Sequence, residues 1–263
     1  MGKLISDNLI YLVWFTLYMV FFSVLTGGIA LIFYVVTIAL AASPAAEGLW
    51  RKVEGVRPLR LKSEKERLLP LFNEVYEGAM DANPEISEDI DLYIKEDMTI
   101  NAFAFGKGTL VLTRGSIELL SDECLQGLMA HEFGHFSHRH TEALLLFTVA
   151  NLPMSFIIKK LTDAKNHFSI KRSFIMGSLC DFIYYLFKGV DSLAGLLLMY
   201  ASRRNEYVAD GFTIACGFGE ELTEVLTEIY GVAITKPQSV KEQFRSTHPH
   251  ITLRIEQMEA MLD

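Results

Sequence analysis

His131-Glu132-Phe133-Gly134-His135 decides how the rest of the chain is read. On a helix, two histidines four residues apart project from one face, a turn from each other. Each can offer an imidazole nitrogen to a single Zn²⁺, and the glutamate beside the first can reach a water activated by that ion. The pattern is H-E-x-x-H, whose chemistry is hydrolysis by a zinc-activated water. The competing reading is a helix with two satisfied surface histidines, and context decides between them.

Upstream, Ser121-Asp122-Glu123 places a capping residue and two acids at the positive end of a helix that runs through Leu125, Leu128 and Met129 and the motif to about Arg139. Before it the apolar period is two. Leu92/Ile94, Asn101 to Phe105 and Leu110/Leu112 predict three short strands, with Gly106-Lys107-Gly108 as a hairpin turn. In Asn101-Ala102-Phe103-Ala104-Phe105-Gly106 small residues alternate with larger ones. That suits an edge strand beside a cleft, where an extended peptide pairs with the backbone; an ordinary strand of a small sheet accounts for it equally well. Ser63-Glu64-Lys65-Glu66 has capping-box spacing. It opens a helix from about Glu64 to Met80 with Leu68, Leu71, Phe72, Val75 and Met80 on one stripe, ended by Asn83-Pro84. Pro70 inside it calls for a bend.

The 263 residues suffice for one large domain or two small ones. Apolar residues make up 51% of the chain, which points to contact with lipid. A net charge of −8, with no basic aromatic motif, argues against a nucleic-acid partner. Cys124, Cys180 and Cys216 are odd in number and lack C-x-x-C spacing, so they suit a reducing compartment and no disulfide framework.

Leu9 to Ala42 contains no charged residue. As one helix it is ~50 Å long, more than the ~30 Å hydrocarbon core requires. One tilted span and a hairpin broken at Gly27-Gly28 are both open, and a retained membrane anchor is favoured over a cleaved signal peptide. Lys3 precedes the run, whereas Arg51, Lys52, Arg57, Arg60 and Lys62 follow it, so the later segment faces the cytoplasm. Thr141 to Ile158 and Phe174 to Tyr200 are further apolar helices. Lys159, Lys160, Lys165, Lys171 and Arg172 between them, and Asp181, Lys188 and Asp191 within the second, favour an interfacial hairpin over full crossing. The expected division is an anchor over 1–43, a linker over 44–62 and a metallopeptidase domain over 63–263, interrupted by the membrane-associated pair at about 141–200.

A catalytic zinc takes three protein ligands and keeps one open position. In Arg203-Arg204-Asn205-Glu206-Tyr207-Val208-Ala209-Asp210, Glu206 is the candidate third ligand. Asp210, one turn on, can accept the remaining N–H of a ligand histidine. A solvated helix face is the plain alternative for this stretch. His248, in Ser246-Thr247-His248-Pro249-His250, can hydrogen-bond an oxyanion, with Arg254 and Tyr207 as further candidates. His138 and His140 read as residues behind the ligands or on the surface.

Four motifs in order, Asn101-Ala102-Phe103-Ala104, His131-Glu132-Phe133-Gly134-His135, Glu206-Tyr207-Val208-Ala209-Asp210 and Ser246-Thr247-His248-Pro249 with Arg254-Ile255, resemble the HtpX-like membrane zinc metalloendopeptidases, related to the CAAX prenyl proteases. The resemblance spans roughly residues 64 to 260. It implies a gluzincin fold (α+β, mainly helical, membrane-anchored, with a small three-stranded sheet beside the motif helix). It implies Zn²⁺ held by His131, His135 and Glu206, with Glu132 as general base. It also implies a site facing the cytosol at the bacterial inner membrane. The family often has two clear N-terminal spans, where this chain has one run with a Gly-Gly break. The activity expected is cleavage of internal peptide bonds in misfolded or membrane-associated polypeptides, laid beside Asn101 to Gly106. A CAAX-type prenyl-protein protease, an intramembrane metalloprotease and a non-cutting zinc-stabilised scaffold are the rival expectations.

Overall fold

The computed structural model describes residues 8–41, 43–170, 174–233 and 250–262. In chain order its elements are α1 (Leu9–Leu25), α2 (Ile29–Ala41), α3 (Pro44–Val53), β1 (Val56–Pro58), α4 (Lys62–Ala82), β2 (Asp91–Lys95), β3 (Ala102–Phe105) and β4 (Thr109–Thr113). They continue with α5 (Arg114–Leu119), α6 (Asp122–Ser137), α7 (His140–Ile170), α8 (Phe174–Ala215), α9 (Gly219–Ala233) and α10 (Ile251–Leu262).

Among the described residues two large apolar cores divide the work, and a third, small cluster of Leu222, Leu226 and Met258 joins α9 to α10. The first lies between the sheet and α4, α6 and α9. Leu68, Phe72, Val75 and Ala79 of α4 are buried at helical spacing. They meet Leu92 and Ile94 of β2, Leu110 and Leu112 of β4, and Met129 and Phe133 of α6. The three expected strands are present, but the sheet has four, in the order β1-β2-β4-β3. β2 and β4 are parallel; β1 on β2 and β3 on β4 are antiparallel. The extra strand, and the helix α3 before it, come from the segment expected to be a linker. Val56-Arg57-Pro58 is too short and too mixed to show a period, and it pairs because Ile94 and its neighbours offer an open edge. β3 is the outer strand at the other side, with Phe105 opposite Thr109 across the Gly106-Lys107-Gly108 turn.

The second core is a bundle of α1, α2, α7 and α8. Tyr11, Trp14, Tyr18 and Phe22 of α1 face inward with Tyr34 of α2, Phe147 and Ala150 of α7 and Ala194 of α8. The run from Leu9 is broken at Gly27 and Gly28, whose φ values of 60° and 94° belong to the left-handed region that glycine tolerates. Thr26 bridges the break: its Oγ1 donates to the Phe22 carbonyl and accepts from the Ala30 N–H. The two arms, 17 and 13 residues long, are short for spans. Among the described residues the helices long and apolar enough to cross a membrane are instead His140–His167 and Ile175–Ala215. Outward the bundle is apolar, with Val13, Leu17, Phe21, Ile32, Phe156 and Leu186 exposed. Four of the charges that argued against burial in lipid are paired, Lys165 with Asp181 at 2.9 Å and Lys188 with Asp191 at 2.6 Å.

α4 begins one residue before Ser63, with Leu61 at its cap position. Glu64 takes over the capping expected of Ser63: its Oε2 accepts from the Arg60 and Leu61 N–H groups at 3.1 and 3.2 Å. Its Oε1 accepts from Arg57 at 2.7 Å and Arg114 at 2.9 Å, tying β1, α4 and α5 together. The Arg57 bond first, then Arg114 and the backbone donors, overcome burial and hold the Glu64 carboxyl far below its usual 4.5. A carboxyl depressed in the fold stabilises above its unfolded pKa and loses that contribution as pH falls. Glu64→Gln should therefore cost about 2 kcal/mol at pH 7, less than the loss of a fully buried pair because Gln keeps an acceptor. The deficit should shrink steadily below pH 4.5 in urea titrations of the detergent-solubilised chain.

Candidate metal centre

α6 is capped as its sequence requires: the Ser121 side chain accepts from the Cys124 N–H, with Asp122 and Glu123 in the first turn. That start sets the helical phase that turns His131 and His135 to one side. The second half of the site comes from α8, some 70 residues later. The two helices cross at Gly134 and Ala209, where a Cβ added to Gly134 would lie 2.8 Å from the Ala209 Cα and 3.0 Å from its Cβ. The obstacle is mainly backbone, so only glycine permits this approach.

The crossing brings Glu206 to the histidines. Its Oε2 lies 3.5 Å from His131 Nε2 and its Oε1 3.7 Å from His135 Nε2. Ligands at ~2.1 Å from a common tetrahedral ion stand roughly 3.4 Å apart, so the three fit Zn²⁺ in spacing as well as in donor type. All three ligand atoms lie within 4.8 Å of one another. His131, Glu132 and Glu206 are each about 5% exposed, so the site is shielded from bulk water.

Behind the ligands the remaining polar atoms are engaged. Asp210 Oδ1 lies 3.0 Å from His131 Nδ1 and accepts its proton, as its place one turn after Glu206 predicts. Arg254 of α10 clamps Asp210 with two bonds, 2.9 Å from Nε and 2.6 Å from Nη2, and reaches Glu206 with Nη1 at 3.0 Å. Its guanidinium is thus engaged by two carboxylates. Burial and the Arg254 charge oppose a proton on His131, yet hydrogen bonds to Asp210 and Glu206 prevail and push its pKa up to about 9. Burial, then the charge of His131, pushes His135 down to about 3. The carboxylates thus favour positive charge beside His131, and a dication held by these residues would supply it in place of that proton.

Tyr207 is half-buried, about 100° round α8 from Glu206. His248 lies outside the described residues. Asn101 directly precedes the outer strand β3, and Ala102, Phe103 and Ala104 run along it where it packs against α6. Ala102 and Ala104 turn to the core shared with α6. Phe105 stacks on Trp50 of α3 at 3.9 Å, and Phe103 meets the same indole edge-on at 5.7 Å. The Asn101 N–H is held by Ser116 Oγ at 2.8 Å, pinning the start of the strand. One contribution escaped the sequence reading: Trp50, in the presumed linker. Of the two places open to His140, behind the ligands or on the surface, the structure gives the first, with its Nδ1 3.0 Å from His135 Nδ1.

The chain matches the model of peptidase family M48 over residues 74–262. It is 29% identical over 201 residues to the "Protease HtpX homolog" of Sulfurovum sp. (strain NBC37-1), covering 65% of this chain and 68% of that protein. It is 30% identical over 134 residues to the "CAAX prenyl protease 1 homolog" of Dictyostelium discoideum, covering 47% of this chain and 31% of that one. The crystal structure of S. mikatae Ste24p shares the fold at a TM-score of 0.56 and 17% identity, covering 93% of this chain and 61% of the Ste24p chain. The last two relatives are thus matched over less than two thirds of their own length. The family match and the HtpX relatives make this chain a metallopeptidase, a hydrolase of peptide bonds. The chain belongs to peptidase family M48 and is related both to the HtpX proteases and to the CAAX prenyl proteases.

Gly134→Ala should force α6 and α8 apart, at a cost of about 1–3 kcal/mol in unfolding free energy. It should also lower zinc content after purification, although no ligand is altered; thermal melts and metal analysis on one preparation check both.

Proposed function

We propose that this chain is a membrane-bound, zinc-dependent endopeptidase that cuts internal peptide bonds of misfolded or membrane-associated polypeptides. The observation that carries the reading is the meeting of His131, His135 and Glu206 from two helices, with Glu132 buried beside them. Zinc held by those three side chains would acidify water and polarise the scissile carbonyl. Glu132 takes the proton from the attacking water and returns it to the leaving amine. Asp210 and Arg254 keep His131 and Glu206 in place while charge develops. Asn101 and the outer edge of β3 to Ala104 offer backbone groups to an extended substrate. His248 stabilises the oxyanion, with Arg254 and Tyr207 as alternatives.

The apolar outer face of the bundle supports lipid as its surroundings, since contiguous exposed apolar surface of this extent is foreign to a water-facing domain. By the charge distribution after the first apolar run, the catalytic part faces the cytosol of a bacterial inner membrane. The anchor over 1–43 and the metallopeptidase domain over 63–263 are then parts of one membrane-seated body.

A second reading, cleavage of prenylated C-a-a-X sequences, draws on the fold likeness to Ste24p over 93% of this chain. Casein and a farnesylated C-a-a-X peptide, offered to the purified chain in micelles, separate the two by which is cut. Cleavage that survives a zinc chelator would defeat both, and no cleavage of either by zinc-loaded chain would leave a scaffold.

Glu132→Gln should retain zinc and lose cleavage by about 10²–10⁴-fold; a metal-loaded mutant that still cuts would remove Glu132 from its role. His248→Phe should lower kcat by about 10²-fold or more at unchanged zinc content, and an unaffected kcat would leave the oxyanion to Arg254 or Tyr207.

A further inference from the structure

After Ser137 the chain leaves α6, and the turn that follows decides what stands behind His135. Had the helix continued, residue 140 would lie about 140° round it from His135 and out of reach. Instead Arg139 adopts φ 55° and the chain doubles back. The His138 carbonyl accepts from the Asn8 side chain at 2.8 Å, and His138 Nδ1 lies 3.1 Å from the Gly134 carbonyl, so both sides of the turn are tied down. His140 therefore opens α7 directly against His135, with 3.0 Å between the two Nδ1 atoms and ring centroids 5.2 Å apart. Its ring stacks on His138 at 5.5 Å, and only 4% of the residue is exposed.

Two Nδ1 atoms at that distance admit one proton between them. His135 Nε2 faces Glu206, so a metal bound there leaves the proton of His135 on Nδ1, and His140 Nδ1 must accept it. We infer that His140 is a positioning residue: it accepts the Nδ1 proton of His135, fixing the ring and the tautomer that presents Nε2 to the metal. The inference rests on the proposed ligand set and adds to it a division of labour. His131 is backed by a carboxylate, Asp210, whereas His135 is backed by a neutral imidazole whose own Nε2 is buried with no hydrogen-bond partner among the described residues. A partner behind each ligand histidine sets orientation and basicity, and its loss lowers metal affinity about 10- to 100-fold.

The test uses the full chain in micelles, titrated with zinc against a chromophoric chelator and, separately, with Co²⁺ read by its visible absorption. His140→Leu should weaken zinc binding about 10- to 100-fold and alter the Co²⁺ spectrum, while His140→Asn, whose Oδ1 stands near the lost Nδ1, should restore both to near wild type. Wild-type affinity in His140→Leu, or equal losses in the two variants at equal thermal stability, would overturn the inference. Should His140→Leu fail to fold, ¹⁵N-histidine spectra of the zinc-loaded wild type decide: His140 protonated on Nε2 with Nδ1 bare supports it, and His140 protonated on Nδ1 sinks it. None of these readouts is cleavage. A chain that binds zinc in this way yet cuts no peptide would end the protease reading and leave the role of His140 intact.

Discussion

The contact between Gly134 and Ala209 is the constraint on which the site depends. Neither residue performs chemistry, yet their approach sets the distance between the histidine pair and the carboxylate that completes it. A helix can place two imidazoles on one face without help from the rest of the protein. A third donor from 70 residues away needs two backbones close enough for a short side chain to reach across. Small residues at the crossing achieve this, and packing on both flanks keeps it from drifting. Phe133 on one side of Gly134 is fully buried in the sheet core, and Asp210 beside Ala209 is locked by Arg254. The candidate metal centre is therefore assembled by the seam between α6 and α8.

That seam also joins the two cores. At 42 residues α8 is ~63 Å long, about twice the thickness of a hydrocarbon core. Its first part packs in the apolar bundle and its last part carries Glu206 and Asp210 into the site. α1 makes the same connection from the other direction, since Asn8 holds the turn after the motif helix and Tyr11 lies 3.4 Å from Ser202. The bundle and the part that carries the candidate site consequently share hydrogen bonds as well as a chain.

Much of this was legible in the sequence because the signals were local. The Ser121 cap, the period-two strands, the 106–108 turn and the four-residue spacings of His131/His135 and Glu206/Asp210 each rest on neighbours within a turn or two. What the sequence could not display was long-range or weakly patterned. β1 has three residues, one of them proline, and exists because β2 had an open edge. α3 looked like linker, yet Trp50 covers the outer face of β3 and Glu47 accepts from the Lys107 N–H at the hairpin turn. Ser63 had the composition of a cap, but the Glu64 carboxylate, held between two arginines, started the helix earlier. The partners of Arg254 were not legible, because a lone arginine carries no record of them. Two buried carboxylates on α8 engage it.

The division between local and long-range signals also explains why the candidate ligands were easier to read than the residues packed behind them. Ligands must converge on one ion, and two of them do so within a single turn of helix, which leaves a fixed spacing in the sequence. Their supports need only be near in space. Asp210 kept a helical spacing to Glu206 and could be read; His140 reaches His135 only because Arg139 reverses the chain, and Arg254 only because α10 folds back onto α8. A left-handed residue directly after a metal-binding helix is thus more than a helix stop. It turns the following segment onto the face the ligands leave uncovered, where a donor or acceptor five residues on can orient a ring that the helix alone leaves free to rotate.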